Sequence, residues 1–149
     1  MIEVRPARDE VEVDGALALR RDVFCVEQGV SLDDELDRRD GDALHLVVVD
    51  RDGAVVGTCR LLVEGCDVKL GRLAVARSHR GRGLAQALLA EAEARARELG
   101  GERIVLGAQL TAQVLYERTG YVPYGEVFLD AGIEHVMMAK GLGAGAPPR

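Results

Sequence analysis

The chain has 149 residues, 48% of them hydrophobic and 30% charged, with a formal net charge of -6 at pH 7. This length favours a single domain with its own core, and the composition is typical of a soluble globular protein. The negative charge argues against a nucleic-acid partner, and no apolar run is long enough for a membrane span. Because Met1–Arg5 lacks the apolar core of a signal peptide, we expect a cytoplasmic protein.

Hydrophobic periodicity predicts the elements in chain order. Alternating or short apolar runs predict strands over residues 2–7, 43–50, 54–64, 66–76, 103–107, 121–130 and 133–140. Helical spacing predicts helices over residues 9–27, 86–99 and 109–119, with Gly15 as a candidate break in the first. The tail over residues 142–149, rich in Gly, Ala and Pro, is expected to be flexible, which leaves one domain over residues 1–141.

The order of these elements defines the fold class. Three strands joined by short turns, from residue 43 to residue 76, predict an antiparallel meander. The helix that follows leads to the strand at 103–107, and such a crossover predicts a parallel pair. We therefore expect an α/β protein with a central, twisted, mixed β-sheet and helices on both of its faces.

Neither the acidic residues nor the cysteines predict a metal site. Residues 29–42 carry six carboxylates, but at offsets that do not fit an EF-hand loop: Asp33, Asp34, Glu35, Asp37, Asp40 and Asp42. This charge run favours a solvated loop or a frayed helix, and the functional alternative is an acidic rim that attracts an amine. The chain has an odd number of cysteines, and they lack C-x-x-C spacing: Cys25, Cys59 and Cys66. We therefore expect reduced thiols, with no disulfide framework and no zinc site.

The segment Arg80-Gly81-Arg82-Gly83-Leu84-Ala85 lies between an apolar strand and an amphipathic helix. Glycines allow close approach of the backbone, the first N–H groups of a helix lack partners within it, and two arginines add positive charge. This combination predicts an anion site, with a plain tight turn as the alternative. A P-loop is excluded because Leu84 follows Gly83, and a dinucleotide fingerprint because Gln86 occupies its last small position.

The same segment, read as Arg-x-x-Gly-x-Ala, resembles the pyrophosphate-binding motif of the GCN5-related N-acetyltransferase (GNAT) superfamily. Residues 109–121 resemble that superfamily's later helix, with its Ala, Tyr and Gly-aromatic landmarks, although Gln109 stands where Asn is often found. The element order is also similar, so the resemblance covers residues 2–140. Within the superfamily, the chain resembles the small ElaA-type branch at residues 21–28, in the acidic loop leading to His45, and at residues 132–137.

The resemblance implies acetyl-CoA as cosubstrate and a splay between the fourth and fifth strands that receives the pantetheine arm. The strand beside the arm would offer its main-chain groups, and the glycine turn would hold the pyrophosphate. The expected CoA-binding residues are Leu73, Ala74, Val75, Arg80, Gly81, Arg82, Gly83, Leu84, Ala85 and Gln109. A main-chain N–H near Leu73 or Ala74 would stabilise the oxyanion of a tetrahedral intermediate by roughly 3 kcal/mol.

The resemblance further implies a general acid at Tyr116, which would protonate the leaving thiolate; a tyrosine that is simply packed, with its hydroxyl bonded elsewhere, is the alternative. For the base, Glu27 and His45 are the named candidates. Further candidates are Glu35, Glu64 and His135, and proton loss through water would need no single base. Because no cysteine lies in the motifs, we expect direct attack in a ternary complex.

The expected function is therefore transfer of an acetyl group to a primary amine of a small molecule or peptide. Two alternatives stay open: a non-catalytic acyl-CoA-binding or sensor domain, and an acyltransferase that uses a different acyl-CoA. Dimerisation is common in the superfamily, so a homodimer is also open.

Overall fold

The structure, a computed structural model, describes residues 2–143. Its strands are β1 (Glu3–Pro6), β2 (Leu44–Val49), β3 (Val55–Glu64), β4 (Asp67–Val75), β5 (Arg103–Gln109), β6 (Val122–Asp130) and β7 (Ile133–Gly141). Its α-helices are α1 (Glu10–Arg20), α2 (Leu32–Glu35), α3 (Leu84–Glu98) and α4 (Gln113–Arg118). A π-helical segment, Arg21–Glu27, continues directly from α1.

The strands form one mixed sheet in the order β1-β2-β3-β4-β5-β7-β6. All neighbouring pairs are antiparallel except β4 and β5, which are parallel. The predicted meander and crossover are thus confirmed. The parallel pair lies at the centre, where the α3 crossover connects β4 to β5.

The parallel pair is short, because β4 and β5 separate along their length. Asp67, Val68 and Lys69 of β4 are in register with Arg103–Val105 of β5, and the pairing stops there. Beyond Lys69, β5 continues beside β7 as far as Gln109. The predicted splay between the fourth and fifth strands is therefore confirmed.

Helices cover both faces of the sheet. On one face α3 places Leu88 and Ala92 in the main core, together with Leu46 and Val48 of β2. On the other face Ala16 of α1 packs in a separate cluster with alternate β2 residues, Val47 and Val49. Since successive strand residues point to opposite faces, β2 is buried on both.

Gly15 does not break the first helix, contrary to the prediction. A Cβ atom at Gly15 would lie 2.9 Å from Val55 Cγ2, so glycine lets α1 pack closely on β3. Asp9 caps the helix, because its side chain accepts a hydrogen bond from Glu12 N.

Two further boundaries differ from prediction. The helix expected from Gln109 begins only at Gln113, because Gln109 still pairs with His135 as part of β5. Leu142, predicted to begin the tail, is buried, and its N–H donates to Glu102 O over 2.9 Å. The rest of the predicted tail, residues 144–149, lies outside the described residues. Among the helices of residues 2–143, none is long and apolar enough to cross a membrane.

Candidate active site

The splay opens a cleft of about 560 Å³ that runs across the middle of the sheet. One wall comes from the π-helical segment and α2, and the other from β5, β7 and α4. Four of the predicted CoA-binding residues line the cleft together with Tyr116: Leu73, Val75, Ala85 and Gln109. Of the predicted pyrophosphate turn, Ala85 lines this cavity, whereas Arg80, Gly81, Arg82 and Gly83 do not.

A β-bulge shapes the β4 side of the cleft. Thr58 of β3 pairs with Ala74 of β4, and Arg60 pairs with Gly71. Two β4 residues, Arg72 and Leu73, therefore lie opposite the single β3 residue Cys59. Arg72 has a φ of 55°, which is uncommon for a residue with a side chain. The bulge takes this stretch out of the regular ladder at the point where β4 has also left β5.

Ion pairs anchor the bulge to residues 29–42, called here the acidic segment. Arg72 Nε donates to Glu35 Oε2 over 2.9 Å, and Arg20 Nε donates to the same oxygen over 3.0 Å. Arg20 and Glu35 are almost fully buried, with 1% and 2% of their surfaces exposed. Glu35 therefore joins α1, α2 and β4 through one carboxylate.

Arg60 of β3 makes the second set of ion pairs. Its guanidinium donates to Asp37 and, over 3.0 Å, to Asp40, which also accepts from Arg20 over 2.7 Å. Hydrogen bonds from Arg60 hold the pKa of Asp37 well below its usual range. Arginines thus pair with three of the six carboxylates of the segment, Glu35, Asp37 and Asp40, and tie it to the sheet. The sequence signal for this was Arg60 itself, an arginine within an apolar strand.

The turn before α3 has the backbone of an anion site. Gly81 and Gly83 have φ angles of 76° and 78°, and a Cβ atom on either would meet nothing within 4 Å. Glycine is therefore required here by backbone conformation, while the space beside it stays open. No side chain caps α3 at Gly83, so the first N–H groups of the helix are available to an anion.

The arginines of this turn point in different directions. Arg80 Nε donates to Val75 O over 3.0 Å, and its Nη2 donates to Glu27 Oε1 over 2.8 Å. Arg82 lies instead beside a smaller surface depression lined by Asp50 and His79. Arg80 thus links the turn to the π-helical segment.

The remaining predicted CoA-binding residues differ in what they expose. Ala74 is buried against Leu19 and Val23, and Leu84 belongs to the core under α3. These two can offer only main-chain groups to a ligand. Gln109 instead lines the cleft with its side chain, whose Nε2 donates to Gln28 Oε1 over 2.8 Å.

Tyr116 is buried to 8% exposure at the cleft, with the ring of Tyr121 packed edge-on at 5.9 Å. Burial raises its pKa above the usual range, so the phenol keeps its proton at neutral pH. Within residues 2–143 the side-chain hydrogen bond to Tyr116 goes from Thr119 Oγ1 to its main-chain carbonyl, and none involves its hydroxyl. The phenol is therefore free to donate to a group bound in the cleft.

The structure gives neither named base candidate the surroundings of a base. The hydrogen bond from Arg80 lowers the pKa of Glu27, which is already paired with that arginine. His45 shares a sheet face with Arg60 but is covered by the acidic segment, its Nε2 bonded to Asp40 O at 3.0 Å. Among the described residues that line the cleft, neither Glu27 nor His45 is present. His135, Phe128 and Met137 do line it.

None of the three cysteines lines the cleft. Cys25, Cys59 and Cys66 are free thiols. Cys59, beside the bulge, is fully buried, and burial raises its pKa to about 12, so almost none of it is thiolate at neutral pH. Over residues 2–143, no group of three or more His, Cys, Asp or Glu side chains is arranged to hold a metal ion.

A splayed mixed sheet with a glycine turn at the start of its central helix is the architecture of acyl-CoA N-acyltransferases, and comparison with known proteins agrees. The profile of the Acetyltransferase (GNAT) domain matches residues 12–142. The chain belongs to the GNAT acetyltransferase family. The "Uncharacterized N-acetyltransferase YjcF" of Bacillus subtilis is 34% identical over 135 residues, which cover 90% of this chain and 96% of the relative.

Solved structures refine this assignment. An acyl-CoA N-acyltransferase from Pseudomonas aeruginosa is 31% identical, with a TM-score of 0.85 over 95% of this chain and 100% of that one. Escherichia coli ElaA is 29% identical, with a TM-score of 0.83 over 94% of this chain and 99% of that one. These similarities support the ElaA-like branch. An aminoglycoside 6'-N-acetyltransferase complexed with coenzyme A, 19% identical with a TM-score of 0.75, shares the fold.

Proposed function

We propose that the protein transfers an acetyl group from acetyl-CoA to a primary amine, by direct attack of the amine on the thioester in a ternary complex. The observation that carries this proposal is that the free edge of β4, at Leu73 and Val75, and the uncapped start of α3, at Ala85, line the same cleft. A strand edge suits an arm that contains amides, and a helix N-terminus suits a pyrophosphate. Acetyl-CoA carries both groups in that order.

On this proposal the donor lies along the cleft in one orientation. Main-chain N–H groups from the Arg80–Ala85 turn hold the pyrophosphate, while the edge at Leu73–Val75 bonds the amides of the pantetheine arm. The φ angles of Gly81 and Gly83 orient the turn for this contact. The presence of coenzyme A in a structural neighbour of the same fold supports the choice of cosubstrate.

The thioester then lies between the bulge and α4. A main-chain N–H near Leu73 or Ala74 polarises its carbonyl and stabilises the oxyanion by roughly 3 kcal/mol. Tyr116, kept protonated by burial, gives its proton to the departing thiolate. The buried thiol of Cys59 is no nucleophile, which supports direct attack over an acetyl-cysteine intermediate.

Two other functions use the same cleft. A non-catalytic acyl-CoA-binding or sensor domain would need the turn but no acid, so the presence of Tyr116 in the cleft lining favours an enzyme. An enzyme that uses a different acyl-CoA would share every group named above. We place the reaction in the cytoplasm, where the three free thiols stay reduced.

One assay separates these functions. Release of CoA thiol from acetyl-CoA is measured with and without polyamines, aminoglycosides and peptides, and products are checked by mass spectrometry for an added acetyl group. Amine-dependent release with an acetylated product supports the proposal. Saturable acetyl-CoA binding without amine-dependent release indicates a sensor, and faster reaction with succinyl-CoA or a longer acyl-CoA indicates a different donor.

A further inference from the structure

His135 is a histidine in the cleft that the mechanism above leaves unused. It lies on β7 opposite Gln109, at the end of β5 where the splay is open. Its exposed fraction is 9%, and it lines the same cavity as Tyr116. His135 thus places a titratable side chain in the cleft, next to the proposed site of reaction.

Its hydrogen bond fixes the neutral ring in one tautomer. Nδ1 of His135 lies 2.7 Å from Ile133 O. A carbonyl oxygen only accepts hydrogen bonds, so Nδ1 must carry the proton. The neutral imidazole therefore has its lone pair on Nε2, while the side-chain hydrogen bond of His135 within residues 2–143 uses Nδ1.

Packing also fixes the plane of the ring. Phe128 of β6 stacks on His135, with ring centroids 5.7 Å apart and planes 26° apart. Gly107 of β5 lies beside both rings, because a Cβ atom there would be 3.6 Å from Phe128 Cζ and 4.0 Å from His135 Cδ2. A side chain held by a hydrogen bond and by stacking loses little freedom when it accepts a proton.

We infer that His135 is the general base of the reaction and that it acts through Nε2; this inference rests on the proposed function. An alkyl ammonium acceptor gives one proton to Nε2, and the neutral amine then attacks the thioester carbon. The C–N bond forms as the carbonyl π pair moves to oxygen. When the pair returns, the C–S bond breaks, the thiolate takes the proton of Tyr116, and the phenolate regains one from the new amide nitrogen. His135 finally releases its proton to solvent.

Other candidates are engaged elsewhere, which strengthens the assignment. Glu35 is shared by two arginines, Glu27 is paired with Arg80, and the Nε2 of His45 is bonded to Asp40 O.

The test uses two amines at one neutral pH. Benzylamine is mostly protonated and must lose a proton before attack, whereas methoxyamine is already neutral. His135→Gln keeps a polar side chain at this position but leaves no base. We expect this variant to lose about 100-fold or more in kcat/KM for benzylamine and only a few-fold for methoxyamine, with acetyl-CoA affinity by calorimetry unchanged.

The matched control is His45→Gln, which removes a buried histidine from the same sheet outside the cleft. We expect wild-type rates with both amines. Equal losses with benzylamine and methoxyamine in His135→Gln, or a selective benzylamine loss in His45→Gln, would overturn the assignment of His135 alone. If the wild-type protein shows no amine-dependent release of thiol, the proposed function is overturned and this inference with it.

Discussion

Arg80 Nη2 donates to Glu27 Oε1 over 2.8 Å, and this contact connects the turn at the start of α3 with the end of the π-helical segment. Arg77 approaches the same oxygen to 3.6 Å. The carboxylate is thus surrounded by positive charge that stabilises its ionised form. Glu27 thus holds Arg80 in place. On the proposed function, the main chain of the turn contacts the phosphates.

Glu27→Gln tests this reading of the pair. The amide oxygen can still accept from Arg80, and the native carboxylate has a lowered pKa that makes it a weak proton acceptor. We therefore expect kcat for amine-dependent thiol release to stay within about threefold of wild type, whereas loss of a general base would cost roughly 100-fold or more. A loss of that larger size would return Glu27 to the catalytic machinery.

Gly83→Val should weaken acetyl-CoA binding. Valine at a φ of 78° carries strain of roughly 1–3 kcal/mol, and relief of that strain moves the N–H groups of the turn. We expect a rise in Kd of about tenfold or more in calorimetry. Arg80→Glu should also weaken binding, because it places negative charge beside the pyrophosphate.

Gly100→Val is the control for Gly83→Val. Gly100 has a φ of 82° and open space around its Cβ position, but it lies at the other end of α3. Both variants should lose similar thermal stability, and only Gly83→Val should lose affinity. Unchanged Kd in Gly83→Val and Arg80→Glu would remove the turn from the donor site.

The order of elements was predictable from sequence, because buried strands and an amphipathic helix leave strong periodic patterns. Local boundaries were harder to predict. Gly15 is usually unfavourable in a helix, yet its packing on Val55 outweighs that cost. Gln109 stays in β5 because a non-local partner, His135, continues the ladder. Such contacts join residues far apart in sequence, so periodicity carries no trace of them.

Tyr116→Phe should lower turnover more than it lowers acetyl-CoA affinity. The ring and its packing on Tyr121 remain, and only the proton donor is lost. We expect kcat to fall by roughly 100-fold, as for loss of a general acid, with Kd for acetyl-CoA nearly constant. Stopped-flow thiol release and calorimetry measure the two quantities.

Tyr121→Phe is the matched control, since it removes a hydroxyl from the neighbouring ring. The Tyr121 hydroxyl is buried without a partner among residues 2–143, so its loss should leave stability equal or slightly higher. Turnover should be retained. Wild-type turnover in Tyr116→Phe would exclude the phenol as the acid.

The site was predictable only in part, for a physical reason. The glycine turn and Tyr116 lie in local patterns that a single segment displays. The ion pairs of the acidic segment depend instead on Arg20, Arg60 and Arg72, which come from three separate elements. Sequence spacing cannot show that these arginines converge, so the carboxylates resembled a solvated run.

Glu35→Gln should destabilise the fold through the bulge. The variant leaves the buried guanidinium of Arg20 and the strained Arg72 without a full counter-charge. Breaking a buried ion pair costs roughly 3–5 kcal/mol, which urea unfolding would detect. The control is Asp67→Asn, which breaks the exposed pair with Arg103 and should cost at most about 1 kcal/mol. Equal costs would show that the Glu35 pair contributes no more than a surface pair.

Stability should also fall on acidification, and Asp37 should contribute to that fall. Hydrogen bonds from Arg60 lower the pKa of Asp37 in the folded state, so the unfolded chain takes up the proton first as the pH drops. The contribution is fully present above the unfolded value, about 4 for aspartate, and is lost as the pH falls through the folded value. Asp37→Asn should therefore be less stable than wild type at pH 7, with a difference that narrows below about pH 4. Urea unfolding across this range measures it, with Asp52→Asn in the exposed β2–β3 turn as control. A constant difference between Asp37→Asn and wild type down to acid pH would show that ionisation of Asp37 does not support the fold.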